Sequence, residues 1–156
     1  MSIAKVKTYL AQFQCENSII EFPVSSATTA EAAKAANCAE GRIAKTISAK
    51  LNDNAVLIVI SGDKKIDSKK YKQYFGKKFS MLKAEEVEPL TGHRIGGVCP
   101  FAVNTGVKIY LDKSLQRFST VFPACGSSNS AIELTIDELE KYSKAAAWID
   151  ISKDSL

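Results

Sequence analysis

The chain is poor in the residues from which catalytic and metal centres are usually built. One histidine, His93, stands among 156 residues, and the four cysteines (Cys15, Cys38, Cys99 and Cys125) form no C-x-x-C pair. That inventory supplies neither a tetrahedral zinc set nor a disulfide framework, so buried free thiols are expected, and no cofactor or metal. No apolar run approaches the roughly 20 residues needed to span a bilayer, and Met1-Ser2-Ile3-Ala4-Lys5 lacks the long apolar stretch of a signal peptide. The expectation is a cytoplasmic protein with no membrane partner. The formal charge of +4 is a weak positive bias, well short of the basic block that would point to nonspecific nucleic-acid binding, and no DNA partner is expected.

What is present fits one domain, residues 1–156, with 46% hydrophobic and 24% charged residues, long enough for one real core. Ile3, Val6, Leu10 and Phe13 recur at helical spacing and predict an amphipathic first helix. Ile19 to Phe22 reads as a short strand ended by Pro23. Thr28 with Glu31 forms a capping box for an alanine-rich helix, and Thr135 with Glu138 forms another near the C-terminus. Ala55 to Ile60 is a continuous apolar run, hence a strand covered on both faces and the centre of the sheet. Asp67 caps a helix that closes at Gly76, with Ile66 and Tyr71 spaced as a hydrophobic staple. Phe79 to Leu82 reads as a short strand, Ala84 to Glu88 as a brief helical turn, and Val107–Leu111, Thr120–Phe122 and Ala131–Leu134 as strands. Trp148, Ile149 and Ile151 are expected to pack an edge or tail.

Two features do not fit ordinary packing. The strand Ile43 to Leu51 places Ile43, Lys45, Ile47, Ala49 and Leu51 on one face, so a cation occupies the apolar phase. Lys45 must snorkel out, find a carboxylate or meet a bound anion, because an unpaired buried ammonium is costly. The second feature is the run from Leu90 to Val103, where three glycines, a proline and His93 lie between segments that read as core. Gly96 and Gly97 lack Cβ and let a ligand approach backbone amides, while Pro100 biases Cys99 toward extended geometry. The run is neither G-x-G-x-x-G nor a P-loop, which leaves a tight connection or a binding loop. Lys64-Lys65, Lys69-Lys70-Tyr71-Lys72 and Lys77-Lys78 gather positive charge in one region, either a solvated face or a footprint for a polyanion.

Lys45 on its strand, Thr91-Gly92-His93 followed by Gly96-Gly97-Val98-Cys99-Pro100-Phe101, then Val107 to Asp112, and Gly126-Ser127 before Ile132-Glu133-Leu134, occur in an order that resembles the YbaK/EbsC family. These are aminoacyl-tRNA deacylases related to the editing insertion domain of bacterial prolyl-tRNA synthetase. The resemblance runs from Ile19 to Tyr142. It implies a compact α/β domain around a mixed, barrel-like sheet flanked by helices, acting in trans on the ester of a mischarged tRNA, with tRNA-Pro as the expected substrate. It also implies an essential lysine, Lys45, near the tRNA 3′ end. The substrate-binding residues would come from Thr46, His93, Gly96, Gly97, Val98, Cys99, Pro100, Gly126 and Ser127. The partners implied are aminoacyl-tRNA and prolyl-tRNA synthetase, with the protein itself a monomer. The nucleophile would be a held water or the substrate's own ribose hydroxyl, and His93 is read as bracing the loop. The alternative is a noncatalytic tRNA- or nucleotide-binding module using the same pocket. Two departures stand out: Ala102 occupies a place where the family often has glycine, and no serine precedes the Cys125-Gly126 pair, so specificity for cysteine is not carried over.

Overall fold

The computed structural model describes residues 2–155. The longest apolar stretch forms the middle of the molecule. Strand β2 (Ile43–Leu51) and strand β3 (Asn54–Ser61) pair as an antiparallel hairpin in which Lys45 lies opposite Ile60 and Thr46 opposite Val59. The two-residue connection is made by Asn52, in the left-handed region at φ 59°, and Asp53, a conformation that asparagine tolerates better than most residues. Parallel to β3 runs β5 (Lys108–Asp112), followed outward by β9 (Ala147–Ile149); on the other side β2 pairs in parallel with β6 (Thr120–Pro123), which carries β8 (Leu134–Thr135). The result is a mixed six-stranded sheet curled into half a barrel within one α/β domain.

The alternation along β3 divides the core. Leu57 and Val59 face one apolar cluster, into which the first helix, α1 (Ser2–Leu10), sends Val6 and Leu10; Val56 (in part), Ile58 and Ile60 face another, centred on Tyr71. Period-two side-chain placement lets one strand seal both faces. Helix α2 (Thr29–Ala36) carries the expected capping box and closes a third cluster with Ile43, Phe122 and Ala131. Helix α3 (Ser68–Phe75) is capped by Asp67, whose carboxylate accepts from the Lys69 and Lys70 amides, and Ile66 packs in the same cluster as Tyr71 as the staple requires. Helix α5 (Ile136–Ser143) begins at the Thr135 and Glu138 box, and Tyr9 of α1 donates its hydroxyl proton to the Tyr142 carbonyl at 2.6 Å.

Several expectations change. The first helix ends at Leu10, and a single 3-10 turn carries the chain to Phe13 before Gln14 reverses it at φ 60°. Phe79–Leu82 forms no strand; Ser80 and Leu82 each make one bond to β2, with Met81 bridged to Ala49. The helical turn at Ala84 is a full helix, α4 (Ala84–Thr91), that continues past Pro89. Its last turn is held from outside by Asn104, which donates to the Pro89 and Leu90 carbonyls, and from within by the Thr91 hydroxyl, which donates to the Val87 carbonyl. The strand at Ile19–Phe22 shrinks to β1 (Ile20–Glu21), paired with β7 (Ser130–Ala131). Two further short strands, β4 (Lys64–Ile66) and β10 (Ser152–Asp154), form an antiparallel ribbon. Among the described residues no helix is long and apolar enough to cross a membrane.

Candidate functional site

Strand β2 is covered on its outer edge only at its two ends. Ile43 and Ala44 pair with β6, and Ser48 and Lys50 bond the 80–82 segment. The stretch between them borders a cavity of about 410 Å³. Its walls include Lys45, Thr46 and Ser48 of β2, Gly96 and Val98 of the glycine loop, Phe122 and Ala124, and a rim from Ser26 to Thr29 at the start of α2. Lys45 and the glycine loop, far apart in the chain, therefore share one hollow. The Thr46 hydroxyl is buried there without a hydrogen-bond partner.

Lys45 sits at the seam between two apolar clusters, with Ile43 in one and Ala49 in the other. Its ammonium donates one long bond, 3.5 Å, to the Gly62 carbonyl. Among the described residues no carboxylate lies within 4.0 Å of it; the nearby Asp63 is engaged in a two-pronged pair with Arg117, at 2.7 and 3.2 Å. Burial pushes the Lys45 ammonium below the usual lysine range, with the more distant charges of Asp63 and Glu40 opposing that shift. A half-buried cation with so little compensation is suited to an incoming anion. Gly62, which no sequence pattern singles out, fixes the lysine's one contact. A Cβ there would lie 2.3 Å from the Glu40 carbonyl and 2.3 Å from the Thr29 methyl. The signal was a glycine just after the strand that pairs with β2, but its close neighbours are remote in sequence.

The loop glycines have different reasons to be glycine. Gly96 needs the left-handed region, φ 88°, though a Cβ would find room; Gly97 needs the space, since a Cβ would lie 2.7 Å from the Gly126 carbonyl. Two small-residue segments thus meet backbone to backbone. The Gly97 amide donates to the Arg94 carbonyl at 2.9 Å, so it is not one of the bare amides expected of the loop. Gly97, Gly126 and Ser127 instead line a smaller hollow of about 190 Å³ with Arg94 and Ile95, and Ile95 borders both cavities. Ser127 bonds Ser130, which lines the larger cavity, at 2.7 Å.

His93, Cys99 and Pro100 lie behind the loop and line neither cavity; His93 and Cys99 are 0% exposed. The His93 Nε2 lies 2.7 Å from the Phe101 carbonyl, and a carbonyl only accepts, so Nε2 carries the proton and Nδ1, which has no partner, is bare. Burial pushes its pKa down. The imidazole braces the loop in its neutral form. Burial likewise pushes the Cys99 thiol up to about 12, which keeps it protonated at neutral pH. The Cys99–His93 contact, at 3.6 Å, is therefore not an activated nucleophile. Ala102 adopts φ 55°, the conformation that glycine takes without strain.

Residues 24–142 match the family model of the aminoacyl-tRNA editing domain. The chain belongs to that family. The editing-domain fold recurs in solved structures. One, described as a candidate trans-editing enzyme for prolyl-tRNA synthetase, superposes with a TM-score of 0.87 over 97% of both chains at 30% identity. The hypothetical protein APE2540 superposes with a TM-score of 0.79 at 27% identity, over 92% of this chain and 99% of its own. A curated relative, YwhH of Bacillus subtilis (strain 168), is 51% identical over 155 residues, 99% of each chain, and is itself uncharacterized. The YbaK/EbsC resemblance read from Lys45, the glycine loop and the Gly126-Ser127 segment is thus shown at the level of the family.

Proposed function

We propose that this editing-domain protein is a trans-acting aminoacyl-tRNA deacylase, hydrolysing the ester that joins a wrong amino acid to the terminal ribose of tRNA-Pro. The observation that carries this reading is the uncompensated Lys45 ammonium beside a glycine loop in one cavity. Ester hydrolysis develops negative charge on the carbonyl oxygen, and preorganised amides stabilise that charge. With the Gly97 amide occupied, the loop amides at the cavity are those of Ile95, Gly96 and Val98, which have no partner among the described residues. Lys45 holds a phosphate or ribose oxygen of the 3′-terminal adenosine and so sets the ester against those amides, a positioning role. The free Thr46 hydroxyl is a further handle for a polar group of the substrate. His93 and Cys99 are sealed behind the loop, so proton transfer falls to a held water or to the substrate's own ribose hydroxyl. Ala32, Ile43, Phe122, Ala124 and Ala131 give the cavity an apolar lining suited to a small or medium amino acid. A cytoplasmic site of action beside prolyl-tRNA synthetase follows from such a substrate.

The test is release of amino acid from a panel of mischarged tRNAs by wild type and by Lys45→Ala. The expected result is turnover of at least one mischarged tRNA-Pro, reduced about 100-fold or more by the substitution. Equal release by both proteins would remove Lys45 from the mechanism, and salt-sensitive tRNA binding without turnover would replace the deacylase by a binding module.

A further inference from the structure

The lysine-rich stretch takes no part in the cavity just described. Residues 62–78 and 150–154 hold eight lysines against four aspartates, a surplus of four, which equals the formal surplus of the whole chain, 21 basic against 17 acidic residues. The rest of the protein is balanced. Its net positive charge is therefore gathered on β4, β10, α3 and the residues that adjoin them, Lys77 and Lys78 included.

Within that region the pairing is unusual. On the inner face of the β4–β10 ribbon, Ile66 and the buried Ser152 lie opposite one another and Lys64 is bridged to Asp154. On the outer face Lys65 lies directly opposite Lys153, both exposed. Like charges paired across an antiparallel ribbon destabilise it, and among the described residues no carboxylate lies within 4.0 Å of either ammonium. Asp67 feels the charge of Lys153 but spends its carboxylate on the amides that start α3. Lys69 and Lys72, one helical turn apart on α3, add two exposed cations, whereas Lys70 is tied to Asp150 and the Ser152 carbonyl. The ribbon also adjoins the site. It follows β3 through the turn at Gly62 and Asp63; the Gly62 carbonyl holds Lys45, and Lys65 is three residues further on.

We propose that the outer face of this ribbon, Lys65 and Lys153 with Lys69 and Lys72 beside them, is where the phosphate backbone of the tRNA acceptor arm docks while its 3′ end occupies the cavity. The proposal rests on the deacylase reading for the identity of the RNA. An RNA backbone supplies the spaced negative charges that relieve the cross-strand repulsion, and the Lys45 bond to Gly62, three residues before Lys65, lets one polynucleotide meet both.

The test compares wild type with Lys65→Glu/Lys153→Glu and with the milder Lys65→Gln/Lys153→Gln. Binding of uncharged tRNA is titrated at two salt concentrations, and turnover is measured on mischarged tRNA and on a 3′-aminoacyl adenosine ester too short to reach the ribbon. The expected result is a KM for tRNA raised about tenfold or more by charge reversal with kcat within about twofold. The salt slope should fall by about 2, one counterion per lost phosphate contact. Hydrolysis of the adenosine ester and the thermal midpoint should be unchanged. Unaltered tRNA affinity and salt slope would overturn the proposal. So would an equal loss on both substrates, or binding to phosphatidylglycerol vesicles with none to tRNA. If wild type turns over no ester yet binds tRNA through Lys65 and Lys153, the docking surface stands and the deacylase reading falls.

Discussion

Two charged side chains flank the central strand β3, Lys45 on β2 and Asp112 on β5, and their surroundings are opposite. Asp112 is 0% exposed, and its carboxylate accepts from the Ser114 amide at 3.0 Å, the Ile151 amide at 2.8 Å and the Ser152 hydroxyl at 2.7 Å. It pins the C-terminal segment to the sheet. Lys45 has one bond of 3.5 Å and a cavity in front of it. A buried charge whose bonding capacity is used inside the protein belongs to the architecture. One whose capacity is left open is available to a ligand.

The largest effect expected from this contrast is on Asp112. Replacing it with alanine strands the donors that now converge on its carboxylate, and should cost about 3–5 kcal/mol in urea unfolding. A loss under about 1 kcal/mol would mean that the two charges are not as different as their bonds suggest. The next effect concerns His93, a third buried polar group, satisfied at Nε2 and not at Nδ1. Above about pH 6.5 the ring is neutral in both folded and unfolded chains. As the pH falls below that, the unfolded chain takes up a proton that the folded one, with its lowered pKa, refuses. Stability is thus full above the unfolded pKa and is lost as the pH drops toward the folded one, with a slope of up to about 1.4 kcal/mol per pH unit. His93→Gln should remove that slope from unfolding curves measured between pH 7 and 5, and an unchanged slope would place its origin elsewhere. The smallest effect is at Ala102. Glycine there relieves a left-handed φ of 55° and should raise stability by about 1 kcal/mol; a decrease would show that the methyl's packing outweighs the strain.

The parts of this molecule that were readable in advance depend on neighbours in sequence. Strands β2 and β3 follow from their apolar patterns, the helix starts at Thr28 and Thr135 follow from side chains three residues apart and the one at Asp67 from its Ile66 and Tyr71 staple, and Lys45 declares itself by occupying an apolar phase. What was missed depends on partners far away. Strand β4 exists because Ser152–Asp154 returns beside it, and Lys-Lys-Ile alone reads as a turn. Gly62 matters because Glu40 and Thr29 press on it. Pattern placed the Gly97 amide among the open donors, and only the turn to Arg94 takes it away. The 79–82 segment has the residues of a strand but touches β2 at too few points to become one.

If the Lys45 ammonium serves a bound anion at a cost to the fold, Lys45→Met, which keeps the stem and removes the charge, separates the two effects. Urea unfolding and single-turnover deacylation of one mischarged tRNA, measured on the same preparation, should show the variant at least as stable as wild type and about 100-fold or more slower. A variant that deacylates at the wild-type rate, or that loses stability while keeping its activity, would contradict the account.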